Sequence, residues 1–74
     1  MSKFKVGDTI YLTKELYVLI SDVKLNDTFV IEDIDDTLVQ LRYLKKDINQ
    51  YIKPSHFDHF ELVNYKEKYV GDDE

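Results

Sequence analysis

Hydrophobic and polar positions alternate along this chain in short bursts, and each burst ends in turn-forming residues. Thr9-Ile10-Tyr11-Leu12-Thr13 alternates and is rich in β-formers, so it predicts a strand. Residues 28–34 and 37–44 predict a β-hairpin around Asp35-Asp36. In its second strand Val39, Leu41 and Tyr43 share one face, while Gln40 and Arg42 share the other, as in a half-buried antiparallel strand. Residues 48–53 predict a fourth short strand with Tyr51 and Ile52 as apolar members, and residues 61–65 a last one.

The connections follow from turn chemistry. Val6-Gly7-Asp8 predicts a tight turn, since Gly accepts positive φ and Asp can bond the backbone just ahead. Lys24-Leu25-Asn26-Asp27 and Lys45-Lys46-Asp47 are loops. Pro54, with Phe57 and Phe60 three residues apart, predicts a single helical turn of 3₁₀ type before the last strand. The run Leu16-Tyr17-Val18-Leu19-Ile20 fits a buried strand or a helical turn by periodicity, and its β-branched and aromatic content favours strand. The fold class is therefore all-β, with about five antiparallel strands and one short 3₁₀ turn. Its main competitor is an α+β variant with a helix over residues 14–20.

Size and composition limit what such a chain can do. At 74 residues it predicts one domain over residues 1–66, with an acidic, flexible tail over 67–74. A chain this short buries only about 60% of the surface its unfolded form exposes, so the core is thin. Aromatics make up 14% of the chain and supply much of that core, with no Trp among them. Cysteine is absent, which excludes disulfides and thiolate metal sites and suits a reducing cytoplasm. No apolar run approaches a membrane span, and the start lacks the pattern of a secretory signal. The expected setting is cytoplasmic.

Net charge is −5, and the most concentrated source within the domain is Glu32, Asp33, Asp35 and Asp36. An acidic chain is poorly suited to nucleic acid or anionic membranes, which demand clustered Lys and Arg. Lys3, Lys5, Lys45, Lys46 and Lys53 are interspersed with carboxylates and form no basic-aromatic motif. The four hairpin acids predict a negative knob for a basic protein surface, where charge-assisted bonds to Arg or Lys give affinity and fast association. A turn rich in Asp for backbone reasons is the competing reading. Calcium is disfavoured there, because the alternation of Asp33, Asp35 and Thr37 lacks the Gly and the distal Glu of a calcium loop.

Two other groups carry chemistry. His56, Asp58 and His59 lie close enough on one turn for metal or acid–base work, yet no third ligand or nucleophile motif accompanies them. Packing residues are the better reading, so no catalytic residue, metal or cofactor is assigned. Among Tyr11, Tyr17, Tyr43, Tyr51, Tyr65 and Tyr69, Tyr17 is the best interface candidate. If residues 16–20 are not all buried, they offer an apolar patch or free edge to a partner or a second copy. The candidate partner-binding residues are thus Glu32, Asp33, Asp35, Asp36 and Tyr17.

The opening Phe4-Lys5-Val6-Gly7-Asp8-Thr9-Ile10-Tyr11-Leu12 and the late Pro54-Ser55-His56-Phe57 resemble the start and the final turn of SH3-like small barrels. The resemblance spans about residues 3–65 and implies a five-stranded barrel. The opening typical of true SH3 domains and the Trp of their peptide groove are missing, so proline-ligand binding is not implied. In size, acidity and residue usage the chain is also similar to small acidic proteins that bacteriophages of low-GC Gram-positive hosts make early in infection. That likeness implies an inhibitor of a host nucleic-acid-binding protein that mimics DNA. The alternative is an SH3-like adaptor or assembly protein that binds a protein or peptide through an aromatic surface.

Overall fold

The order of strands follows from which alternating segments can share one apolar face. The computed structural model describes residues 3–63. It contains β1 (Thr9–Leu12), β2 (Thr28–Ile34), β3 (Val39–Tyr43), β4 (Ile48–Ile52), a 3₁₀ turn (Pro54–His59) and β5 (Phe60–Leu62). All pairings are antiparallel, and the sheet runs β4-β3-β2-β1-β5. The fold is therefore all-β, with the single 3₁₀ turn just before the last strand.

Core residues come from one face of each strand. Ile10 and Leu12, Phe29 and Ile31, and Val39, Leu41 and Tyr43 are all buried. Each such side chain contributes roughly 1.5–3 kcal/mol by leaving water. Aromatic rings tie the layers together. Phe29 stacks on Tyr43 at 5.1 Å and meets Phe60 edge-on at 5.6 Å. Phe57 points from the 3₁₀ turn to Phe4, edge-on at 5.1 Å, which closes the core over the chain start.

One irregularity places a candidate residue. Ile31 pairs with Leu41 and Asp33 with Gln40, so Glu32 is the extra residue of a β-bulge. The apolar spacing of β2 explains it. Phe29 and Ile31 lie two apart, but Ile34 follows three later, and the bulge returns Ile34 towards the core.

Several boundaries differ from the sequence reading. The hairpin tip is the four-residue segment 35–38 rather than Asp35-Asp36 alone, and Asp35 donates its amide to the Leu38 carbonyl at 2.8 Å. In β4 only Ile52 of the expected apolar pair is buried. Tyr51 falls on the opposite face, and Gln50 takes the inward position. Asp8 bonds backward, accepting the Lys5 amide at 3.0 Å, while Gly7 supplies φ +95°. The tail over 67–74, with Tyr69, lies outside the described residues, as does Tyr65. Among the described residues no helix is long and apolar enough to cross a membrane.

The largest correction concerns residues 16–20. They form neither the favoured strand nor the competing helix, but irregular turns within the long β1–β2 loop. Both edges of β1 are already occupied, by β2 on one side and β5 on the other. A further strand there could not pair with β1, and the β-propensity of residues 16–20 goes unused.

Candidate functional site

The β1–β2 loop and the β2–β3 tip lie at opposite ends of the sheet, since β2 runs from one to the other. At the loop end, the backbone is held by distant parts of the chain. The His59 carbonyl accepts from the Thr13 amide at 2.7 Å, the Thr13 hydroxyl at 3.0 Å and the Lys14 amide at 3.3 Å. His59 Nδ1 lies 3.1 Å from the Glu15 carbonyl, so it is the protonated ring nitrogen and donates there. Further on, the Ile20 amide donates to Oε1 of buried Gln50 at 3.1 Å. Lys46 and Asp22 form an ion pair between the β3–β4 turn and the loop, and the ammonium holds the Asp22 carboxyl below its usual range.

The loop closes on Asp27. Its carboxylate accepts the fully buried Tyr43 hydroxyl at 2.6 Å and the Lys24 amide at 2.9 Å. The Tyr43 hydrogen bond, followed by the Lys24 amide, lowers the Asp27 carboxyl below its ordinary value. Burial, then the bond to Asp27, pushes the Tyr43 phenol up to about 12. Asn26 adopts positive φ (74°) at the bend, as Asn tolerates.

What this framework displays is apolar. Leu19 turns inward and anchors the loop, with Leu16 and Val23 packed partly beneath. Tyr17 is 89% exposed, Val18 56% and Leu25 48%. A cleft of about 450 Å³ opens beside them, lined by Leu16, Leu19, Ile20, Val23 and Leu25 together with Glu15, Ser21 and Lys24. The Tyr17 hydroxyl donates to Glu15 Oε1 at 3.0 Å, and that carboxylate raises the phenol's pKa.

The acidic end is built differently. Glu32, projected by the bulge, accepts from Arg42 Nε at 3.1 Å and from Gln40 Nε2 at 3.4 Å. Arg42 also approaches Asp47 at 3.6 Å. Glu32 is therefore engaged within its own sheet, and the four hairpin acids do not act as one group. Asp33, Asp35 and Asp36 are exposed and make no ion pair among the described residues. Asp35 and Asp36 instead line an open cleft of about 610 Å³ with Asp58, Lys3 and Pro54. Sequence reading had attached Asp58 to the histidines. Only the topology, which carries the 3₁₀ turn past the hairpin tip, brings it to the acidic end.

The histidines serve the backbone. His56 Nδ1 accepts the Lys53 amide at 3.0 Å, and the His56 amide returns a bond to the Lys53 carbonyl at 2.9 Å. Burial, then His59 and Lys53, lowers the His56 pKa. The two rings stand perpendicular, 6.1 Å apart. Among the described residues no three acidic or histidine side chains converge as metal ligands. No protein-family model matches this chain, and no curated protein or solved structure matches it either.

Proposed function

We propose that this chain is a non-catalytic protein-binding module whose docking surface is the β1–β2 loop. The observation that carries this reading is Tyr17, 89% exposed at the lip of a cleft with mixed apolar and polar walls, on a loop held in place from three other elements. A large aromatic with a polar tip suits an interface anchor. A loop already ordered by its own bonds loses little entropy on docking, so more of the contact energy appears as affinity. Contiguous exposed apolar groups on a small domain mark interaction sites. The partner is a protein or peptide with apolar side chains to fill the cleft, in the manner of an SH3-like adaptor. The lack of cysteine suits a cytoplasmic setting.

A second reading rests on Asp33, Asp35 and Asp36, unpaired among the described residues and joined by Asp58. It makes the chain an acidic inhibitor, of the kind bacteriophages use, seated on a basic nucleic-acid-binding protein. Glu32, already bonded to Arg42, contributes least. Affinity capture with three proteins separates the readings: the natural chain, a Tyr17→Ala/Val18→Ser variant, and a variant with Asp33, Asp35 and Asp36 changed to Asn. Capture that resists high salt and fails in the loop variant supports the adaptor. Salt-sensitive capture that fails only in the Asn variant supports the inhibitor. A partner retained equally by all three overturns both.

A further inference from the structure

The two outer strands of the sheet are guarded unequally. Along β3, Leu44 donates its amide to the Thr28 carbonyl of β2 at 3.3 Å. By alternation, residues 40 and 42 address β2 with their main-chain groups, while Val39, Leu41 and Tyr43 address β4. Their partners Ile52, Gln50 and Ile48 therefore bond inward, and Asn49 and Tyr51 direct their N–H and C=O groups outward. Among the described residues, no main-chain donor or acceptor of residues 48–52 bonds beyond β3, except that the Asn49 carbonyl accepts Gln50 Nε2 at 3.0 Å, a bond that leaves its second lone pair for a partner. The opposite edge, β5, is only three residues long, carries Glu61, and has its Phe60 carbonyl approached by Lys3 Nζ at 3.4 Å. Short length, charge and a covering lysine are the usual protections of an edge. β4 has none of them: Ile48-Asn49-Gln50-Tyr51-Ile52 contains no charge, proline or bulge.

The same five residues have a self-complementary pattern. Apolar Ile occupies both ends, Gln the middle, and polar or amphipathic groups the positions between. We infer that the β4 edge pairs antiparallel with the β4 edge of a second copy, about a twofold axis at Gln50. Asn49 then exchanges two main-chain bonds with the partner's Tyr51, and the reciprocal pair does the same. Ile48, on the core-facing side yet 38% exposed, gains the partner's Ile52 as its neighbour. No like charges meet across the seam. Twofold closure ends the assembly at two copies, because the described residues of each chain carry only one such edge. The seam uses none of Tyr17, Val18 or Leu25, although the loop reaches its centre through the Ile20–Gln50 bond, so the Asn49 and Tyr51 variants test dimerisation without altering the lip.

Sedimentation equilibrium of the full chain, up to millimolar concentration, tests the inference. A monomer–dimer equilibrium is expected, with protection of the Asn49 and Tyr51 amides from hydrogen exchange rising with concentration. Changing both Asn49→Lys and Tyr51→Lys opposes like charges across the seam and should weaken the dimer about tenfold. Asn49→Lys with Tyr51→Glu opposes unlike charges and should restore it to within about threefold of the natural chain. Both variants alter exposed side chains, and circular dichroism of each establishes that it is folded. A chain that stays monomeric overturns the inference, as does protection of those amides that is independent of concentration. A ring larger than two, or a dimer indifferent to both variants, overturns it equally.

Discussion

The β1–β2 loop and the β2–β3 tip end the same strand, yet they are stabilised by opposite means. The loop has no regular structure and depends on distant groups: Tyr43 in β3, Gln50 in β4, and His59 at the end of the 3₁₀ turn. It spends buried polar groups to hold apolar side chains in water. The tip is a local hairpin turn, and its network of Glu32, Arg42 and Gln40 lies on the solvent-facing side of adjacent strands. Its exposed Asp residues are what any turn accepts. Ordered display of Tyr17 demands explanation, while acidic residues on a hairpin do not. That contrast is why the loop leads the functional proposal.

If the loop depends on long-range bonds, cutting the one on the most deeply buried side chain, Tyr43, should have the largest effect. Tyr43→Phe removes the hydroxyl that bonds Asp27 and should cost about 1.5–3 kcal/mol, the range for a hydrogen bond to a charged group. Urea unfolding at neutral pH measures it. The loss has a defined pH window. Asp27 is lowered in the fold, so its contribution is present above the ordinary value of 3.8 and fades as pH falls further. Tyr43 is raised to about 12, so its contribution is complete below 10 and is lost as pH rises from there towards 12. The natural chain and Tyr43→Phe should thus converge in stability at both extremes. A difference that persists at pH 2 would place the effect in packing and not in the bond.

Next in size is Gln50→Ala, which strands the Ile20 amide and should destabilise by about 1–2 kcal/mol. Hydrogen exchange should quicken at Ile20 well before it does in β2 and β3. Uniform quickening would mean that the loop is no separate unit. His56 gives a smaller test at the other end of the 3₁₀ turn. Its pKa lies below the ordinary 6.5 in the fold, chiefly through burial and then through the neighbouring His59 and Lys53. Its contribution is therefore complete above about 6.5, and stability should decline as pH falls from there through the folded value. His56→Asn, which can accept the same amide, should flatten that slope. An unchanged slope would assign it to another group.

Much of this molecule was legible in its residues, for reasons that also mark where legibility stops. β3 was plain because alternation over Val39, Leu41 and Tyr43 permits only one half-buried register. The 3₁₀ turn was plain because Pro54 fixes its start. The bulge was not anticipated, although the change from two-residue to three-residue spacing between Ile31 and Ile34 carries its signal. The loop was not legible. Residues 16–20 have strand-like content, but strand formation depends on a vacant ladder, and occupancy of β1's edges is a property of the whole sheet. Tyr17 stands out by its place in the apolar run 16–20, while the groups that hold its loop do not. Asp27, Gln50 and His59 lie far from it in sequence, and only the topology joins them. Asp58 met the hairpin acids for the same reason.

At the tip, removing the Glu32–Arg42 contact should have only a slight effect. Both side chains are substantially exposed, at 30% and 44%, and such pairs contribute about 0–1 kcal/mol. A Glu32→Gln, Arg42→Gln double-mutant cycle reads the coupling, and raised salt should shrink it further. A coupling above that range would make the bulge network a structural anchor comparable to Asp27, and the contrast between the two ends would fail.

Tyr17→Ala should change stability least of all, within about 0.5 kcal/mol, because the ring rests in water and, among the described residues, its only side-chain bond is to nearby Glu15. The value of this substitution lies in what else it changes. A side chain that holds the fold loses stability and binding together when removed. One that serves only a partner loses binding alone, with melting and the exchange rates of Ile20 and Asp27 untouched. Tyr17→Phe refines the test, since it keeps the ring and removes only the hydroxyl bonded to Glu15. If the aromatic body anchors the partner, Tyr17→Phe should bind nearly as the natural chain does, while Tyr17→Ala does not. If both variants bind normally while the Asp33, Asp35 and Asp36 variant does not, the functional end of the sheet is the acidic one, and the ordered apolar loop needs another explanation.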